Sequence, residues 1–325
     1  MKAWRVHEWS EPETMQFEEV AVPEPGPGQV RIRVRAAGLN FFDILQIQGK
    51  YQTKPPFPFT PGAEAAGVVD ACGPGVTAFA PGDRVLAFVL HGAFSEYALA
   101  AADRVFPMPD GMDFAQGAAL PIVYHTSYLA LERRARLSEG EWLLVHAGAS
   151  GVGMAAIQLG CALGARVIAT AGSDEKLAFC RRQGAAETLS YRDGEWVERV
   201  KAITGGRGAD VIYDPVGGDV FDLSSKCIAP EGRLLVIGFA SGRIPTIAAN
   251  RVLLKNISIV GVFWGGYAQQ KPEYVAETQK KLDEFHERGL IHPEVTSRYP
   301  LADAPQALRA LAGRGVSGKA VLVSE

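Results

Sequence analysis

A short apolar run that leads into a glycine-rich turn constrains this chain more than any other feature. Trp142–Val145 has the composition of a buried strand, and the sequence HAGASGVG follows it at positions 146–153. Apolar residues then recur at helical spacing from Val152 to Leu163, and Arg166–Thr170 reads as a second strand. Strand, glycine turn, amphipathic helix and strand in this order predict a βαβ unit of a parallel sheet.

The glycine turn suits a dinucleotide cofactor. Glycine lets the backbone approach a pyrophosphate closely, while the N–H groups and the dipole at the start of the helix favour its negative charge. We therefore predict cofactor contacts at Ser150, Gly151 and Val152. A tight turn into a packed helix is the alternative, and the flanking strands and helix favour the cofactor site.

The end of the second strand indicates which dinucleotide is bound. An NAD site usually places Asp or Glu roughly 20 residues after the glycines, where this chain reads Thr170-Ala171-Gly172-Ser173. Ser173 as a helix N-cap and Lys176 in the first helical turn, beside Gly172, would suit a 2′-phosphate, so the sequence favours NADP(H). Alternatively, Ser173 only caps the helix and Lys176 is solvated. Tyr191 either covers the adenine-ribose face or packs at the rim.

The rest of the chain divides into a β-rich part and a parallel α/β part. Up to about Leu120, alternating runs such as Val30–Arg35 and frequent Pro and Gly turns predict an antiparallel barrel or sandwich. Further apolar runs at Val211–Tyr213 and Leu234–Ile237 extend the doubly wound parallel sheet. A helix is predicted near 272–288, and a last strand at Lys319–Val323 is expected to return to the first domain.

Composition excludes several classes of protein. The chain has 325 residues and a formal net charge of -3, with no run of five like charges, which disfavours nucleic-acid binding. Its four cysteines form no CxxC pair, so a reducing cytoplasm is predicted rather than a disulfide framework. The first residues, MKAWRVHEWS, lack the apolar core of a signal peptide, and no membrane segment is predicted.

Six motifs are AAGLNFFD at 36–43, GKY at 49–51, PGAEAAGVV at 61–69, PGDRV at 81–85, ASGVG at 149–153 and VFWG at 262–265. Together they resemble the zinc-independent quinone oxidoreductases, related to zeta-crystallin, of the medium-chain dehydrogenase/reductase superfamily. The resemblance implies an α/β protein with a GroES-like β-barrel domain of residues 1–121 and 265–325 and a Rossmann NADP-binding domain of residues 122–264. It also implies a cofactor in the cleft and usually a homodimer, for which the strand at 257–262 could pair across a two-fold axis or lie inside a sheet.

The chain differs from the alcohol dehydrogenases of this superfamily at the positions of their zinc ligands. Alcohol dehydrogenases of the same superfamily carry a zinc-ligand cysteine at the position that Asn40 matches in this chain. They carry Gly-His-Glu where this chain has Gly62-Ala63-Glu64. The six histidines show no HxxxH or HxH spacing, so no metal site is predicted. Without a Lewis acid to ionise an alcohol, an electron-poor acceptor is the expected substrate.

The resemblance also assigns site residues. Asn40 is expected beside the nicotinamide, donating to a ribose hydroxyl or to the acceptor oxygen. Asp43 is expected to support Asn40 and to take no part in catalysis. Tyr51 is expected to donate a hydrogen bond or a proton to an enolate or quinol oxygen, with water as the other proton source. The remaining residues implied are Thr126, Gly238, Phe239, Ala240, Val262, Phe263 and Trp264 around the nicotinamide and Lys319 near the cofactor phosphates.

The sequence thus predicts an NADPH-dependent oxidoreductase that transfers hydride directly to quinones or α,β-unsaturated carbonyl compounds, without zinc or flavin. Its partner is a small apolar acceptor, with no nucleic acid or membrane involved. Two alternatives stay open. One is an enoyl-thioester reductase, and the other is a non-catalytic, crystallin-like NADPH-binding protein.

Overall fold

Residues 1–324 are described by a computed structural model, in which the chain forms two units. The first unit contains Met1–Ile122, Val275–Gln279 and the residues from Pro293 onward. The second contains Val123–Tyr274 and Lys280–His292. The assignment of residues 1–121 and 265–325 to one domain and 122–264 to the other stays a prediction.

The N-terminal part consists mainly of short strands separated by turns. In the longest of them, Val30, Ile32 and Val34 are buried while the arginines between them are half-buried or exposed, as the alternating pattern predicted. The elements are β1 (Lys2–Arg5), β2 (Gln16–Glu19), β3 (Gln29–Gly38), α1 (Phe41–Ile47), β4 (Glu64–Cys72), β5 (Arg84–Phe88), β6 (Tyr97–Ala101), β7 (Val105–Pro107) and α2 (Phe114–Ala118).

Strands and helices alternate through the middle of the chain. A π-helical segment, Leu129–Arg134, follows the first of these helices directly. The elements are α3 (Pro121–Tyr128), β8 (Trp142–Val145), α4 (Gly151–Ala162), β9 (Arg166–Ala171), α5 (Asp174–Arg182), β10 (Glu187–Ser190), α6 (Trp196–Ile203), β11 (Ala209–Asp214), α7 (Gly218–Cys227), β12 (Ile228–Val236), α8 (Ala249–Lys255), β13 (Ser258–Gly261), α9 (Trp264–Gln270) and α10 (Pro272–Glu287).

The chain ends in elements that join the first unit, namely β14 (Val295–Pro300), α11 (Ala304–Ala312) and β15 (Lys319–Val323). The strands of its seven-stranded sheet have the order β14-β15-β3-β4-β5-β7, and β6 also pairs with β3. All neighbours are antiparallel except β14 and β15. Because β15 pairs with β3, the predicted return of the last strand to the N-terminal sheet is confirmed.

The second unit has a six-stranded sheet with the order β10-β9-β8-β11-β12-β13. All five neighbouring pairs are parallel, which confirms the predicted doubly wound sheet. Its strand order reverses between β8 and β11, so the topological switch point lies at their carboxyl ends. β13 is an edge strand here, paired with β12 alone in this sheet.

The predicted βαβ unit is confirmed as β8, α4 and β9, but α4 is not amphipathic. Every residue from Gly153 to Gly160 is buried. One side of the helix packs on the sheet, and the far side is covered within the same unit, where Gln158 bonds with Tyr124, Gln183 and His292. Among residues 1–324, none of the helices has the length and apolarity needed to cross a bilayer. A cytoplasmic location stays a prediction.

Candidate functional site

The parallel sheet brings most of the predicted cofactor residues to one edge. Ser150–Val152 follow β8, Gly172 and Ser173 follow β9, and Tyr191 follows β10. On the other side of the switch point, Gly238–Ala240 follow β12 and Val262–Trp264 follow β13. Because all six strands are parallel, these carboxyl ends lie along the same edge, where open α/β sheets bind their ligands.

The turn after β8 is held rigidly from two sides. Ala147 has a positive φ of 48°, and its N–H donates to the Tyr191 hydroxyl at 2.5 Å. Ser150 is the N-cap of α4, with its Oγ accepting the Gly153 N–H at 3.1 Å. A Cβ on Gly153 would lie 2.2 Å from the Ala147 carbonyl oxygen, so this glycine serves the contact between turn and helix. Tyr191 therefore supports the turn through this bond, and a contact with the adenine-ribose part of the cofactor stays a prediction.

A buried histidine, one of the six that showed no metal-binding spacing, lies at this turn. His146 bonds through Nδ1 to the Thr170 hydroxyl at 2.9 Å and through Nε2 to the Ser224 hydroxyl at 2.8 Å. Burial lowers the pKa of His146 to about 3, so the ring is neutral at physiological pH. His146 thus shapes the turn without adding positive charge to it.

The end of β9 is arranged as the sequence predicted. Ser173 is the N-cap of α5, and its Oγ accepts the backbone N–H of Lys176 at 3.4 Å. No atom lies within 4 Å of the position that a Cβ on Gly172 would take, so the backbone borders open space there. The strand end carries no carboxylate, although Asp174 and Glu175 occupy the first turn of α5. A 2′-phosphate contact at these residues stays a prediction.

Sequence reasoning missed Asp214, which ends β11 at the switch point. Its Oδ1 accepts the N–H groups of Val216 at 2.8 Å and Gly217 at 3.0 Å. Its Oδ2 is buried and has no hydrogen-bond partner among residues 1–324. Burial raises the pKa of this carboxyl, against the two backbone bonds. The position of an aspartate directly after a buried strand was the available signal.

The loops after β11 and β12 support each other. The Ala240 N–H donates to the Pro215 carbonyl oxygen at 3.1 Å, and the Ser241 N–H donates to the Val216 carbonyl oxygen at 2.9 Å. These bonds fix the predicted Gly238–Ala240 segment, in which the Phe239 side chain is 37% exposed. The structure therefore presents an apolar ring at this loop.

The other predicted nicotinamide residues also belong to the second unit. Phe263 is 51% exposed, whereas Val262 and Trp264 are buried. The Trp264 ring packs on His125 at 5.0 Å between ring centroids. Thr126, the next residue of α3, is half-buried.

Asn40 lies in the first unit within a buried polar cluster. It is the N-cap residue of α1 and is 7% exposed. Its side chain also bonds outside the helix, with Nδ2 donating to Glu64 Oε1 at 2.7 Å and Oδ1 accepting from Lys319 at 3.0 Å. Both ends of the carboxamide are therefore held by charged groups.

Lys319, which the resemblance placed near the cofactor phosphates, lies inside this buried cluster. The side chain is 2% exposed, and its ammonium donates to Glu64 Oε1 at 2.6 Å, to the Leu39 carbonyl at 2.9 Å and to Asn40. An ammonium has three protons, so none is left for a cofactor phosphate. The resemblance to a C-terminal phosphate-binding lysine does not extend to this geometry.

Asp43 supports Asn40, as predicted, and is a buried carboxyl in its own right. Its Oδ2 accepts the Asn40 backbone N–H at 2.8 Å, while Oδ1 has no partner among residues 1–324. Burial and the charge of Glu64 raise the pKa of Asp43 to about 8, against the Asn40 bond and the charge of Lys319. Asp43 is therefore mainly protonated at pH 7.

Tyr51 follows α1 and packs on Phe42, with 5.3 Å between their ring centroids. Burial, together with the nearby Asp43 carboxyl, raises the pKa of the Tyr51 phenol above its usual value of 10. A raised pKa makes the phenol a weaker acid but keeps it protonated over a wide pH range. The raised pKa favours Tyr51 as a hydrogen-bond donor over a proton donor.

The buried Asp43 carboxyl predicts a pH-dependent stability. Its pKa is about 8 when folded, against an ordinary value of 3.8. Between these values the folded state holds a proton that the unfolded state has released, so stability falls as pH rises through this window. Asp43→Asn removes this loss, and its advantage over wild type should grow from about pH 4 to pH 8 and then level off.

Urea unfolding of both proteins across this range measures the difference. The titratable and charged groups that face the Asp43 carboxyl are Glu64, Lys319 and Tyr51. Asp113→Asn is the control, because hydrogen bonds from Gln116 and Arg298 outweigh burial and lower the pKa of Asp113. Its stability relative to wild type should therefore fall, and not rise, with increasing pH. A flat difference between Asp43→Asn and wild type would contradict a protonated Asp43.

Zinc does not fit the residues around Asn40. Glu64 already uses both carboxylate oxygens, since Oε1 accepts from Lys319 and Asn40 and Oε2 accepts the Ile122 N–H at 2.7 Å. Nowhere in residues 1–324 do three His, Cys, Asp or Glu side chains come together as a metal site. The cation in this oxygen-lined position is the ammonium of Lys319.

Comparison with known proteins identifies the family. Residues 26–110 match the family model of the alcohol dehydrogenase GroES-like domain, and residues 151–280 match that of the zinc-binding dehydrogenases. These matches and the observed sheets confirm the predicted fold class, a GroES-like domain with a Rossmann-type parallel sheet.

Relatives extend over the whole chain. The quinone oxidoreductase-like protein 2 of Mus musculus is 38% identical over 97% of this chain and 90% of its own length. The quinone oxidoreductase of Rattus norvegicus is 35% identical over 99% of this chain and 98% of its own length. The solved structure of Escherichia coli quinone oxidoreductase complexed with NADPH is 31% identical, covers 100% of both chains and has a TM-score of 0.93. The chain belongs to the quinone oxidoreductase family of the medium-chain dehydrogenase/reductase superfamily.

Proposed function

We propose that this protein is an NADPH-dependent oxidoreductase that transfers hydride directly to quinones or α,β-unsaturated carbonyl compounds, without zinc or flavin. The observation that carries the proposal is the carboxyl edge of the parallel sheet, where the capped glycine turn after β8 lies beside the carboxylate-free end of β9. The NADPH-bound relative from Escherichia coli supports the same cofactor for this chain.

The residues at this edge fit the cofactor. The first-turn N–H groups of α4 lack intrahelical partners and suit a pyrophosphate, with Ser150, Gly151 and Val152 as the proposed contacts. Gly172 borders the open space that a ribose phosphate needs, with Ser173 and Lys176 beside it. When bound, NADPH supplies the hydride.

Asn40 and Tyr51 are the proposed polar contacts of the acceptor. Asn40 keeps one Nδ2 proton that is not committed to Glu64, and this proton is the proposed donor to the acceptor oxygen or a ribose hydroxyl. Tyr51 donates a hydrogen bond to the oxygen on which negative charge develops. Because the pKa of Tyr51 is raised, water is the proposed source of the transferred proton.

NADPH oxidation with a panel of acceptors tests this proposal. The panel contains an ortho-quinone, a para-quinone, an enone, an enoyl thioester and an aldehyde. Turnover should be highest with a quinone or the enone and should persist after dialysis against a chelator. A preference for the enoyl thioester would favour an enoyl-thioester reductase, and NADPH binding without oxidation of any acceptor would favour a non-catalytic protein.

Replacing Lys176 tests the choice of cofactor. If its ammonium meets the 2′-phosphate, Lys176→Ala should weaken NADPH binding roughly 10- to 100-fold, the size of a lost charge-assisted bond. NADH affinity should not change. Calorimetric titration measures both, and Arg181→Ala, which removes a like charge from the other end of α5, is the control. Equal losses for NADPH and NADH would contradict the assignment.

A homodimer is part of the proposal. β13 is the edge of its sheet, and two neighbouring leucines of α8 are unusually exposed, Leu253 at 73% and Leu254 at 78%. An open strand edge beside apolar side chains suits pairing with a second copy. Light scattering should give twice the chain mass of 34.8 kDa for wild type and the monomer mass for the Leu253→Glu/Leu254→Glu variant. A monomeric wild type would contradict the dimer.

A further inference from the structure

The carboxamide of Asn40 is held in one orientation by two opposite charges. Its oxygen accepts from the Lys319 ammonium at 3.0 Å, and its nitrogen donates to the Glu64 carboxylate at 2.7 Å. An amide flip would turn the NH2 group toward the ammonium and the oxygen toward the carboxylate, and both contacts would become repulsive. The two charges therefore specify which end of the amide carries the remaining proton donor.

Both charged groups are buried and are bonded at several atoms. The Lys319 and Glu64 side chains are 2% and 0% exposed, and Lys319 Nζ lies 2.6 Å from Glu64 Oε1. Glu64 is also bonded to the Ile122 N–H, and it passes so close to β3 that a Cβ on Gly38 would lie 2.2 Å from its Oε1. Lys319 is further bonded to the Leu39 carbonyl. Neither group can follow the amide if it turns.

We propose that Lys319 and Glu64 are positioning residues that lock Asn40, so that the second Nδ2 proton is always presented to the acceptor or the cofactor ribose. This inference rests on the proposed function of Asn40. It assigns to Lys319 an effect on the hydride-transfer step and none on the cofactor phosphates, because the ammonium protons are all used inside the cluster. A preorganised donor needs no reorientation when charge develops on the substrate.

Epistasis with Asn40 gives the kinetic test. Lys319→Met should lower kcat about 10- to 100-fold, the cost of a misplaced catalytic group, while the Kd of NADPH stays within about twofold. In an Asn40→Ala background, the same substitution should change kcat by less than about twofold, since the group it positions is gone. Equal losses in both backgrounds, or a selective rise in the Kd of NADPH over NADH, would overturn the proposal.

A control and a second variant guard against misfolding. Glu64→Gln/Lys319→Met removes both charges, leaves no uncompensated ion and should show the same epistasis. Arg31→Met/Asp70→Asn is the matched control, because this pair joins strands of the same sheet with the same 2.6 Å separation but lies away from Asn40's bonds. The control should leave kcat within about twofold of wild type.

Asparagine labelling gives a readout that does not depend on turnover. The chain has three asparagines, and Asn250 and Asn256 are exposed. With 15N-asparagine, wild type should therefore show one side-chain NH2 pair with widely separated proton shifts and slow exchange, which disappears in Asn40→Ala. Glu64→Gln/Lys319→Met should collapse this pair toward the exposed ones, and the Arg31→Met/Asp70→Asn control should not.

An unchanged Asn40 pair in Glu64→Gln/Lys319→Met would overturn the positioning role, whatever the kinetics. If wild type oxidises NADPH with none of the acceptors, the proposed function fails separately, because the labelling experiment still reports whether the charges hold the amide.

Discussion

Glu64→Ala is expected to lower the free energy of unfolding by about 3–5 kcal/mol, the usual cost of leaving a buried charge without its partner. The substitution leaves the Lys319 ammonium inside the first unit with two of its three acceptors and also removes the acceptors of the Asn40 amide and the Ile122 N–H. The midpoint of thermal unfolding should fall by roughly 10 °C, measured by calorimetry.

Two further variants separate charge from packing. Glu64→Gln keeps the side-chain volume but replaces one accepting oxygen by an NH2 group, so its loss reports the charge together with one acceptor and not the packing. Asp70→Ala removes the partner of Arg31 from a pair of the same 2.6 Å length, but these side chains are 15% and 23% exposed and water compensates the remaining charge. A loss from Asp70→Ala as large as that from Glu64→Ala would show that burial of Glu64 is not the cause.

Gly153→Ala is expected to destabilise the second unit by about 1–3 kcal/mol, the range for overpacking a filled site. The new methyl group would lie 2.2 Å from the Ala147 carbonyl oxygen and 2.7 Å from the Gly148 Cα, and backbone cannot move aside as a flexible side chain can. The turn would have to move away from α4, so NADPH binding should be lost together with stability. Thermal unfolding and calorimetric titration measure the two effects.

Gly172→Ala is the informative comparison. No atom lies within 4 Å of its added Cβ and its φ is not positive, so stability should be unchanged. If the open space is the ribose site, NADPH affinity should nevertheless fall, since the methyl group enters space that the ligand needs. Unaltered NADPH binding in Gly172→Ala would remove that residue from the site, and a stable Gly153→Ala would contradict the close approach at the turn.

The local pattern of the sequence was sufficient for the parallel sheet and its glycine turn. Strands, caps and turns depend on neighbours in the chain, so Trp142–Val145, the Ser173 cap and the edge position of the proposed cofactor residues followed from spacing. The amphipathic interpretation of α4 was wrong because residues distant in sequence, such as His292, cover its outer side.

Only the tertiary structure decided the chemistry around Asn40. Lys319 lies 279 residues from Asn40 in the chain and 255 from Glu64, so no local pattern could place its ammonium between them. The pKa values of Asp43 and Tyr51 likewise depend on burial, which is a property of packing. The sequence by itself determined the family, the parallel sheet and the residue types at each strand end. Folding decided which charges meet in the interior, because burial and long-range contacts set electrostatic environment.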